Sequence, residues 1–438
     1  MSCDCIGQGC STPGQHTSGT VYPTQAQPIF STQTQLPMFI PSDNQVRTQM
    51  PQNSVLVIGG CGFIGYHLVS HFISSKTFTT VAAASRSALN SNDKVTGATY
   101  HDLDLPNYDS IERLVNDIKP TVIIHAASPS PVTGTRREYE NMVIKGTDNL
   151  LSVSMKSKHV QTLIYTSSPL LCQGPEHINL TETSPLADTD AKAPAYARTK
   201  ARAEKMVLKA NKPLSETEDQ HSWQRHLCTG ALRFPIVYGT HDLVCIPGAL
   251  TFLQKGQTNV VLGNGTNFWS FCSVKNAARE HVLLAQALLD TQSTNLVAAD
   301  NARGQAFHIN DGTSYPFWDF AHMIWIFAGW KPDTEHNRIY HLPAWFVLAL
   351  ASCLEVLFWV FTAGRKRPYQ LGRQQVEYAV FEHTYSIEKA RRLLGYETEG
   401  DFEGGLRRAV EWSVEEGGWG EKLGVGGAGI VKESLEER

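Results

Sequence analysis

The sequence lacks an extended basic tract within the part that we expect to fold, and its charges nearly balance, with 38 Lys and Arg against 42 Asp and Glu. Nucleic-acid binding therefore has no electrostatic basis here, and we predict no nucleic-acid partner. The first residues do not combine a basic segment with a short apolar run, so we predict no signal peptide. These absences argue against a nucleic-acid-binding protein and against a secreted one.

The nine cysteines are scattered and do not form an evident disulfide framework. Cys61 and Cys353 stand in apolar, core-like contexts, which is typical of a reducing compartment. Cys3, Cys5 and Cys10 form a loose cluster, but no His or second Cys cluster stands at metal-site spacing. We therefore predict free thiols and no metal site.

A change of composition near Ser54 separates two kinds of chain. Residues 1–52 are rich in Gln, Thr, Ser and Pro and have no period, so we predict disorder there. Beyond them, strand-like and helix-like segments alternate, which predicts an α/β fold with a Rossmann-type, doubly wound parallel sheet. The strand-like runs are Val55–Ile58, Thr79–Ala84, Val122–His125 and Thr162–Thr166. The helix-like runs are Tyr66–Ile73, Asp109–Ile118 and Glu138–Ser154.

The predicted domain organisation has four folded parts and two tails. Residues 53–239 form a dinucleotide-binding catalytic domain, and residues 240–330 form a smaller C-terminal substrate lobe. Residues 331–370 form a membrane-associated helical segment, and residues 371–415 pack back on the core. Residues 1–52 are the disordered tail, and residues 416–438 are a flexible tail.

A glycine-rich loop directly follows the first predicted strand. Gly59, Gly62 and Gly65 have the spacing GxxGxxG, and Phe63 and Ile64 stand between the last two of them. The first glycine allows a tight turn, the second lets the backbone approach a pyrophosphate, and the third lets the helix pack on the strand. Exposed N–H groups at the helix N-terminus then bind the anion. We predict that these five residues bind a dinucleotide.

The end of the second predicted strand bears on the choice of cofactor. NAD enzymes usually carry Asp or Glu there to hold the ribose 2′-hydroxyl, but this chain has Ser85 and Arg86. A hydroxyl and a guanidinium can both bind a 2′-phosphate. We therefore predict NAD(P) as cofactor, with NADP favoured. The alternative is that Arg86 is an ordinary solvated surface residue.

Tyr196 and Lys200 are spaced to share one face of a helix. A free phenol has a pKa near ~10, and a neighbouring ammonium should lower it towards the working range of a base. Ser168 stands at the end of a preceding strand, where it could hydrogen-bond the reacting oxygen. We predict Tyr196, Lys200 and Ser168 as catalytic residues, with Ser167 as the alternative to Ser168.

At these residues the chain resembles the 3β-hydroxysteroid dehydrogenase family of extended short-chain dehydrogenases, from about Ser54 to Trp412. The resemblance implies that Ala126 belongs to the strand lining the cofactor and that Asp102 and Leu103 contact the adenine. The branch that oxidises sterol 4α-carboxylates is the most similar, through the segments Phe307–Asp311, Phe317–Phe320, Tyr385–Ala390 and Leu393–Tyr396.

The resemblance implies oxidation of the 3β-hydroxyl of a 4-carboxysterol or related triterpenoid to a ketone, with loss of CO₂, in sterol C-4 demethylation. It also implies other enzymes of that pathway as partners. Val143 and Pro169 depart from the family pattern and leave the terpenoid open. Two alternatives are a hydroxysteroid dehydrogenase/isomerase or ketone reductase of secondary metabolism, and a non-catalytic membrane scaffold that keeps the cofactor fold.

The most hydrophobic stretch, Leu342–Thr362, is about long enough to span a bilayer. It contains one charged residue, Glu355, has Trp345 and Trp359 near its ends, and is followed by the basic run Arg365–Arg367. A buried core helix and a spanning helix are alternatives. We predict a helix lying in or dipping into a membrane surface, on the cytosolic face of the endoplasmic reticulum.

Overall fold

The computed structural model describes residues 53–212, 226–290, 301–332, 338–362 and 372–424. The predicted disordered tail, residues 1–52, lies outside this part of the chain. So do the basic run Arg365–Arg367 and the end of the predicted flexible tail.

Strands and helices alternate through the first half of the chain, as the pattern predicts. They are β1 (Ser54–Ile58), α1 (Phe63–Ser74), β2 (Thr80–Ser85), β3 (Thr99–Asp102), α2 (Tyr108–Ile118), β4 (Val122–His125), α3 (Arg136–Glu138), α4 (Gly146–Lys156), β5 (Thr162–Ser167), β6 (His177–Leu180), α5 (Ala195–Lys209), β7 (Cys228–Arg233) and β8 (Ile236–Tyr238). A π-helix, Tyr139–Lys145, joins α3 to α4, so the single helix predicted from Glu138 contains a wider turn. Helix α1 begins three residues earlier than predicted, because Gly62 is its extended N-cap.

The second half of the chain adds shorter strands and longer helices. They are α6 (Cys245–Gln254), β9 (Val260–Leu262), β10 (Phe268–Ser273), α7 (Val274–Leu289), β11 (Gln305–His308), β12 (Ser314–Pro316), α8 (Phe317–Phe327), β13 (Tyr340–Leu342), α9 (Ala344–Thr362), α10 (Arg373–Val380), β14 (His383–Tyr385), α11 (Glu388–Leu394), α12 (Phe402–Glu415) and α13 (Trp419–Leu423).

The main sheet has seven parallel strands in the order β11-β7-β5-β4-β1-β2-β3. Alternate residues of β1 face opposite sides: Val55 and Val57 pack with α1 and α7, whereas Leu56 and Ile58 pack with α2 and α4. Both faces are therefore covered, which explains why β1 is wholly apolar. The predicted doubly wound parallel sheet is confirmed. Its strand order reverses between β1 and β4, and in such sheets ligands bind at that crevice.

The smaller lobe differs from its predicted bounds. Its sheet has the order β12-β10-β14-β6, with β8 paired to β10, so it draws on segments before residue 240 and after residue 330. Within residues 240–330, α7 packs on α1 and β11 pairs in register with β7 of the main sheet. Ala306 and Phe307 of β11 are buried in the core of the main sheet. This segment therefore belongs to the main sheet and not to the lobe. The lobe has its own aromatic core around Trp269, Phe271 and Trp325.

Most side chains of helix α9 are exposed or only partly buried in the described part of the chain. Only Val347 and Ala351 are buried, against Val376 of α10, whereas Trp345 is 73% exposed and Phe361 is 82% exposed. The alternative of a buried core helix is therefore wrong. Downstream, β14 joins the lobe sheet and α12 packs on α8, so the chain returns to the body of the protein.

The last described helix, α13, lies inside the segment predicted as a flexible tail. Its Trp419 is buried in the lobe core, and α13 packs against α6 and α12. The prediction was wrong for this short stretch. The surrounding glycines indicated a flexible tail, whereas the single aromatic residue Trp419 packs in the lobe core.

Candidate active site

The glycine loop between β1 and α1 has the steric demands predicted for it. Gly59 has φ of +89°, and a Cβ there would lie 2.8 Å from the Ala127 amide nitrogen. A Cβ on Gly65 would collide with the carbonyl oxygen of Gly59, so the helix can pack on the loop only with glycine at this position. The N–H groups in the first turn of α1, which include those of Phe63 and Ile64, have no acceptor within the helix. The loop thus has the free N–H groups and the close backbone packing that anion binding at a helix N-terminus requires, and it lies at the sheet crevice.

The other predicted cofactor residues lie at the same carboxyl edge of the sheet. The Ser85 hydroxyl accepts a hydrogen bond of 3.2 Å from the Cys61 amide, which places it against the glycine loop. Arg86 follows it and is exposed. Asp102 is the register partner of Ser85 on β3, and the next residue, Leu103, is buried.

Ala126 follows β4, across the crevice from β2. Its amide donates to the Ile58 carbonyl over 2.9 Å, so the chain leaving β4 stays beside the glycine loop. The predicted cofactor residues therefore lie together along one edge of the sheet. The tight glycine contacts show that the backbone is shaped to let a pyrophosphate approach closely, so these residues fit a dinucleotide.

The three predicted catalytic side chains come together, buried between β5 and α5. Ser168 follows β5, and its hydroxyl lies near enough to the Tyr196 phenol to lower the pKa of that group. The Lys200 ammonium donates to the Thr166 carbonyl over 2.7 Å and lies 4.5 Å from the centroid of the Tyr165 ring.

The electrostatics of Tyr196 differ from the expectation. Burial raises the pKa of Tyr196 to about 12, and a hydrogen bond with Ser168 opposes the increase. Burial also lowers the pKa of Lys200 to about 7, against the attraction of Glu204. With its pKa raised by burial, the Tyr196 phenol is protonated at neutral pH.

A buried histidine on α7 hydrogen-bonds the end of β5. His281 on α7 hydrogen-bonds the Thr166 hydroxyl through Nε2 at 2.8 Å and the Ala277 carbonyl through Nδ1 at 2.7 Å. Burial lowers the pKa of His281 to about 4, so the ring is neutral. Its Nδ1–H must then donate to the carbonyl, and Nε2 accepts from Thr166. The network holds the end of β5 in place.

An ion pair between α5 and β7 secures the catalytic helix. Arg233 and Glu204 are both almost fully buried, with 2.6 Å between guanidinium nitrogen and carboxylate oxygen. Glu204 lies one turn after Lys200, so the pair fixes the helix that carries Lys200 and Tyr196. Ser167, the alternative to Ser168, is buried, and its hydroxyl has no hydrogen-bond partner in the described part of the chain.

Two tyrosines near Tyr196 were not predicted. Tyr139, on the π-helix, has its ring centroid 5.8 Å from that of Tyr196. Tyr378, on α10, interacts electrostatically with Tyr196. Tyr378 is far from the catalytic motif in the sequence and shares no spacing with it, so no sequence signal could have found it.

Residues 56–339 match the model of the 3-beta hydroxysteroid dehydrogenase/isomerase family. The chain belongs to this family. A sterol-4-alpha-carboxylate 3-dehydrogenase, decarboxylating, of Schizosaccharomyces pombe is 34% identical over 83% of this chain and 98% of that protein. The protein of the same name in Saccharomyces cerevisiae is 31% identical over the same shares of both chains. The predicted family resemblance is confirmed.

Solved structures of lower sequence identity share the fold. A UDP-glucose 4-epimerase of Thermus thermophilus, in complex with NAD, has a TM-score of 0.57 and 19% identity, covering 82% of this chain and 98% of that one. This similarity supports the Rossmann-type architecture of the family member described above.

Proposed function

We propose that this protein oxidises the 3β-hydroxyl of a 4-carboxysterol or a related triterpenoid to the 3-ketone, with NAD(P) as oxidant and with loss of the 4-carboxylate as CO₂. The observation that carries the proposal is the buried group Ser168, Tyr196 and Lys200 beside an anion-binding glycine loop, in a chain similar over almost its full folded length to decarboxylating sterol-4-carboxylate dehydrogenases. The reaction would serve sterol C-4 demethylation.

The protein residues supply binding and proton transfer. The bound nicotinamide supplies the two-electron oxidant, and in its oxidised form it carries a positive charge. Ser168 would donate a hydrogen bond to the substrate C3 oxygen and hold it near Tyr196. Tyr196 would accept the hydroxyl proton while the hydride leaving C3 is transferred to the nicotinamide. Lys200, whose amine donates to the Thr166 carbonyl, would orient the nicotinamide ribose.

Loss of CO₂ would need no additional side chain. Oxidation at C3 leaves a ketone β to the 4-carboxylate. The C4–carboxyl bond then breaks, its electron pair becomes an enolate that the ketone oxygen stabilises, and a proton from water completes the product. The catalytic group needed for the oxidation is therefore enough for both steps.

The cofactor preference we propose is NADP over NAD. Ser85 lies against the glycine loop, and the exposed Arg86 follows it at the end of β2. Arg86 also interacts electrostatically with Glu138, whose pKa is lowered mainly by its hydrogen bonds with Thr135. Asp102, the acid nearest to Ser85 in the sheet register, accepts a hydrogen bond from the Leu89 amide over 3.0 Å. Because the end of β2 carries the Arg86 guanidinium and no acidic residue, it favours the binding of a 2′-phosphate.

We also propose attachment to the cytosolic face of the endoplasmic reticulum through α9, where other enzymes of sterol C-4 demethylation would be its partners. Helix α9 is long and apolar enough to cross a bilayer. However, α10 packs along it: Val376 contacts its first half, and Arg373 binds Glu355 and Ser352. A spanning position would carry α10 into the hydrocarbon, which favours a helix lying in one leaflet.

The test of the proposed reaction is product analysis with purified protein in detergent. A 4α-carboxy-3β-hydroxysterol and NADP should yield a 3-ketosterol without the carboxyl group, reduced cofactor and CO₂ in equal amounts. A 3-ketone formed only from sterols that lack the carboxyl would support the hydroxysteroid dehydrogenase alternative. No oxidation of either substrate would support the scaffold alternative.

A further inference from the structure

Thr166, near the end of β5, is hydrogen-bonded from both faces of the main sheet. Its carbonyl oxygen accepts from the Lys200 amine over 2.7 Å, whereas its hydroxyl bonds His281 Nε2 over 2.8 Å. Lys200 belongs to α5 and His281 to α7, and these two helices cover opposite faces of the sheet. One residue therefore connects the catalytic helix with a helix on the far side.

The ring of His281 has a fixed orientation. Its Nδ1–H donates to the Ala277 carbonyl, one turn earlier in α7, over 2.7 Å. Its plane stacks on Phe234, with 5.2 Å between the ring centroids and 22° between the planes. Because Nδ1 carries the proton of the neutral ring, Nε2 serves as the acceptor for the Thr166 hydroxyl. All three side chains are buried, so this hydrogen bond is shielded from water.

The contact with His281 restrains the peptide that receives the Lys200 amine. The pairing of β5 with β4 ends at Tyr165, one residue before Thr166, whereas the pairing with β7 continues through Ser167. The branched β-carbon of threonine makes χ1 stiff, so holding the hydroxyl also holds the backbone of the residue. The position of the Thr166 carbonyl therefore depends on His281 as well as on β7.

We propose that His281 is a positioning residue for Lys200 and acts through Thr166 from the opposite face of the sheet. This role rests on the proposed function in one respect, namely that Lys200 takes part in catalysis and orients the nicotinamide ribose. Loss of the bond to Thr166 would displace the Lys200 amine. The loss should lower kcat and weaken dinucleotide binding, but it should leave KM for the sterol unchanged, because His281 lies behind the sheet.

The first experiment removes the Thr166 hydroxyl and keeps the carbonyl. Thr166→Val has nearly the same shape as threonine but no donor, so kcat at saturating sterol and cofactor should fall about 5- to 10-fold. Thr166→Ser keeps the hydroxyl and should keep kcat close to the wild-type value. The dissociation constant of NADP, titrated without sterol, should rise in the Val variant and not in the Ser variant. Thermal melting confirms that each variant is folded.

The second experiment changes the histidine. His281→Gln places a carboxamide near the former Nε2, where its oxygen can still accept from Thr166. The shorter His281→Asn can keep only the bond to the Ala277 carbonyl. Gln should therefore retain most of kcat, and Asn should lose about as much as Thr166→Val. The double variant Thr166→Val/His281→Asn should be no slower than either single variant, because both changes remove the same hydrogen bond.

Thr162→Val is the matched control. Thr162 lies on the same strand, is fully buried, and its hydroxyl has no hydrogen-bond partner in the described part of the chain. This variant should leave kcat and NADP binding unchanged. An unchanged kcat and NADP affinity in folded Thr166→Val, additive losses in the double variant, or an equal loss in the control would overturn the role of His281. A wild type that oxidises no sterol would contradict the proposed function instead, and the NADP titration would still decide the role of His281.

Discussion

Helices α5 and α9 reverse the usual distribution of side chains. Helix α5 buries a tyrosine, a lysine and a glutamate, namely Tyr196, Lys200 and Glu204. Helix α9 exposes two tryptophans and several phenylalanines and aliphatic residues, while its one charged residue, Glu355, turns towards α10. Lys and Glu are rarely buried, and exposed apolar patches of this kind are rare on soluble monomers.

The difference shows how each exception is stabilised. In α5, the charged side chains have partners within the protein: Lys200 has the Thr166 carbonyl and Glu204 has Arg233. In α9, the apolar side chains have no partner within the described chain beyond those around Val347 and Ala351. The buried polar side chains of the first helix are therefore stabilised by internal hydrogen bonds, whereas the described part of the chain leaves the apolar side chains of the second exposed.

The largest expected effect is on the chemistry of α5. Tyr196→Phe should reduce kcat about 10²- to 10⁴-fold, because the acid–base group is lost while the ring still fills its site. The measurement is steady-state oxidation, with cofactor binding followed by titration as the control. Near-normal turnover by the folded variant would remove Tyr196 from the mechanism.

The next effect is on α9. Replacing Leu350, Leu357 and Phe361 together by Ser should move the protein from the membrane pellet to the soluble fraction. Losing about 3 kcal/mol of apolar burial corresponds to a decrease of about 100-fold in membrane partitioning. Detergent, but not high salt, should release the wild type, and the variant should still act on detergent-dispersed substrate. A soluble wild type would contradict membrane attachment.

A smaller effect tests the edge of the sheet beside the glycine loop. Arg86→Ala should raise KM for NADP about 10-fold and leave KM for NAD nearly unchanged, because only NADP has a phosphate for the guanidinium to bind. Initial rates with each cofactor provide the comparison. Equal effects on both cofactors, or a wild type that prefers NAD, would contradict the NADP preference.

The smallest effect concerns pH. Ser168 lowers the pKa of Tyr196, so Ser168→Ala should raise that pKa. Because oxidation needs the deprotonated phenol, the rise of kcat/KM with pH should move to higher pH in the variant, by up to about one unit. A profile that stays in place, or moves to lower pH, would show that Ser168 does not act on Tyr196. Ser167→Ala, at the neighbouring buried serine, is the control.

The sequence by itself determined the parts of the protein that depend on short, contiguous patterns. The glycine spacing after β1, the strand-end Ser168 and the pair Tyr196 and Lys200 could be predicted because each requires only a local turn, strand end or helix face. The apolar run of α9 predicted a membrane-associating helix for the same reason, and the structure removes the buried-core alternative.

Only the tertiary structure decided how distant segments combine. It built the lobe from strands on both sides of its predicted bounds, because β11 and α7 complete the core of the main sheet. It also set the Lys200 amine against the Thr166 carbonyl and buried Tyr196, and that burial raises the pKa of the Tyr196 phenol. Neither effect can be predicted from the spacing of Tyr196 and Lys200, because both depend on segments that are distant in the sequence.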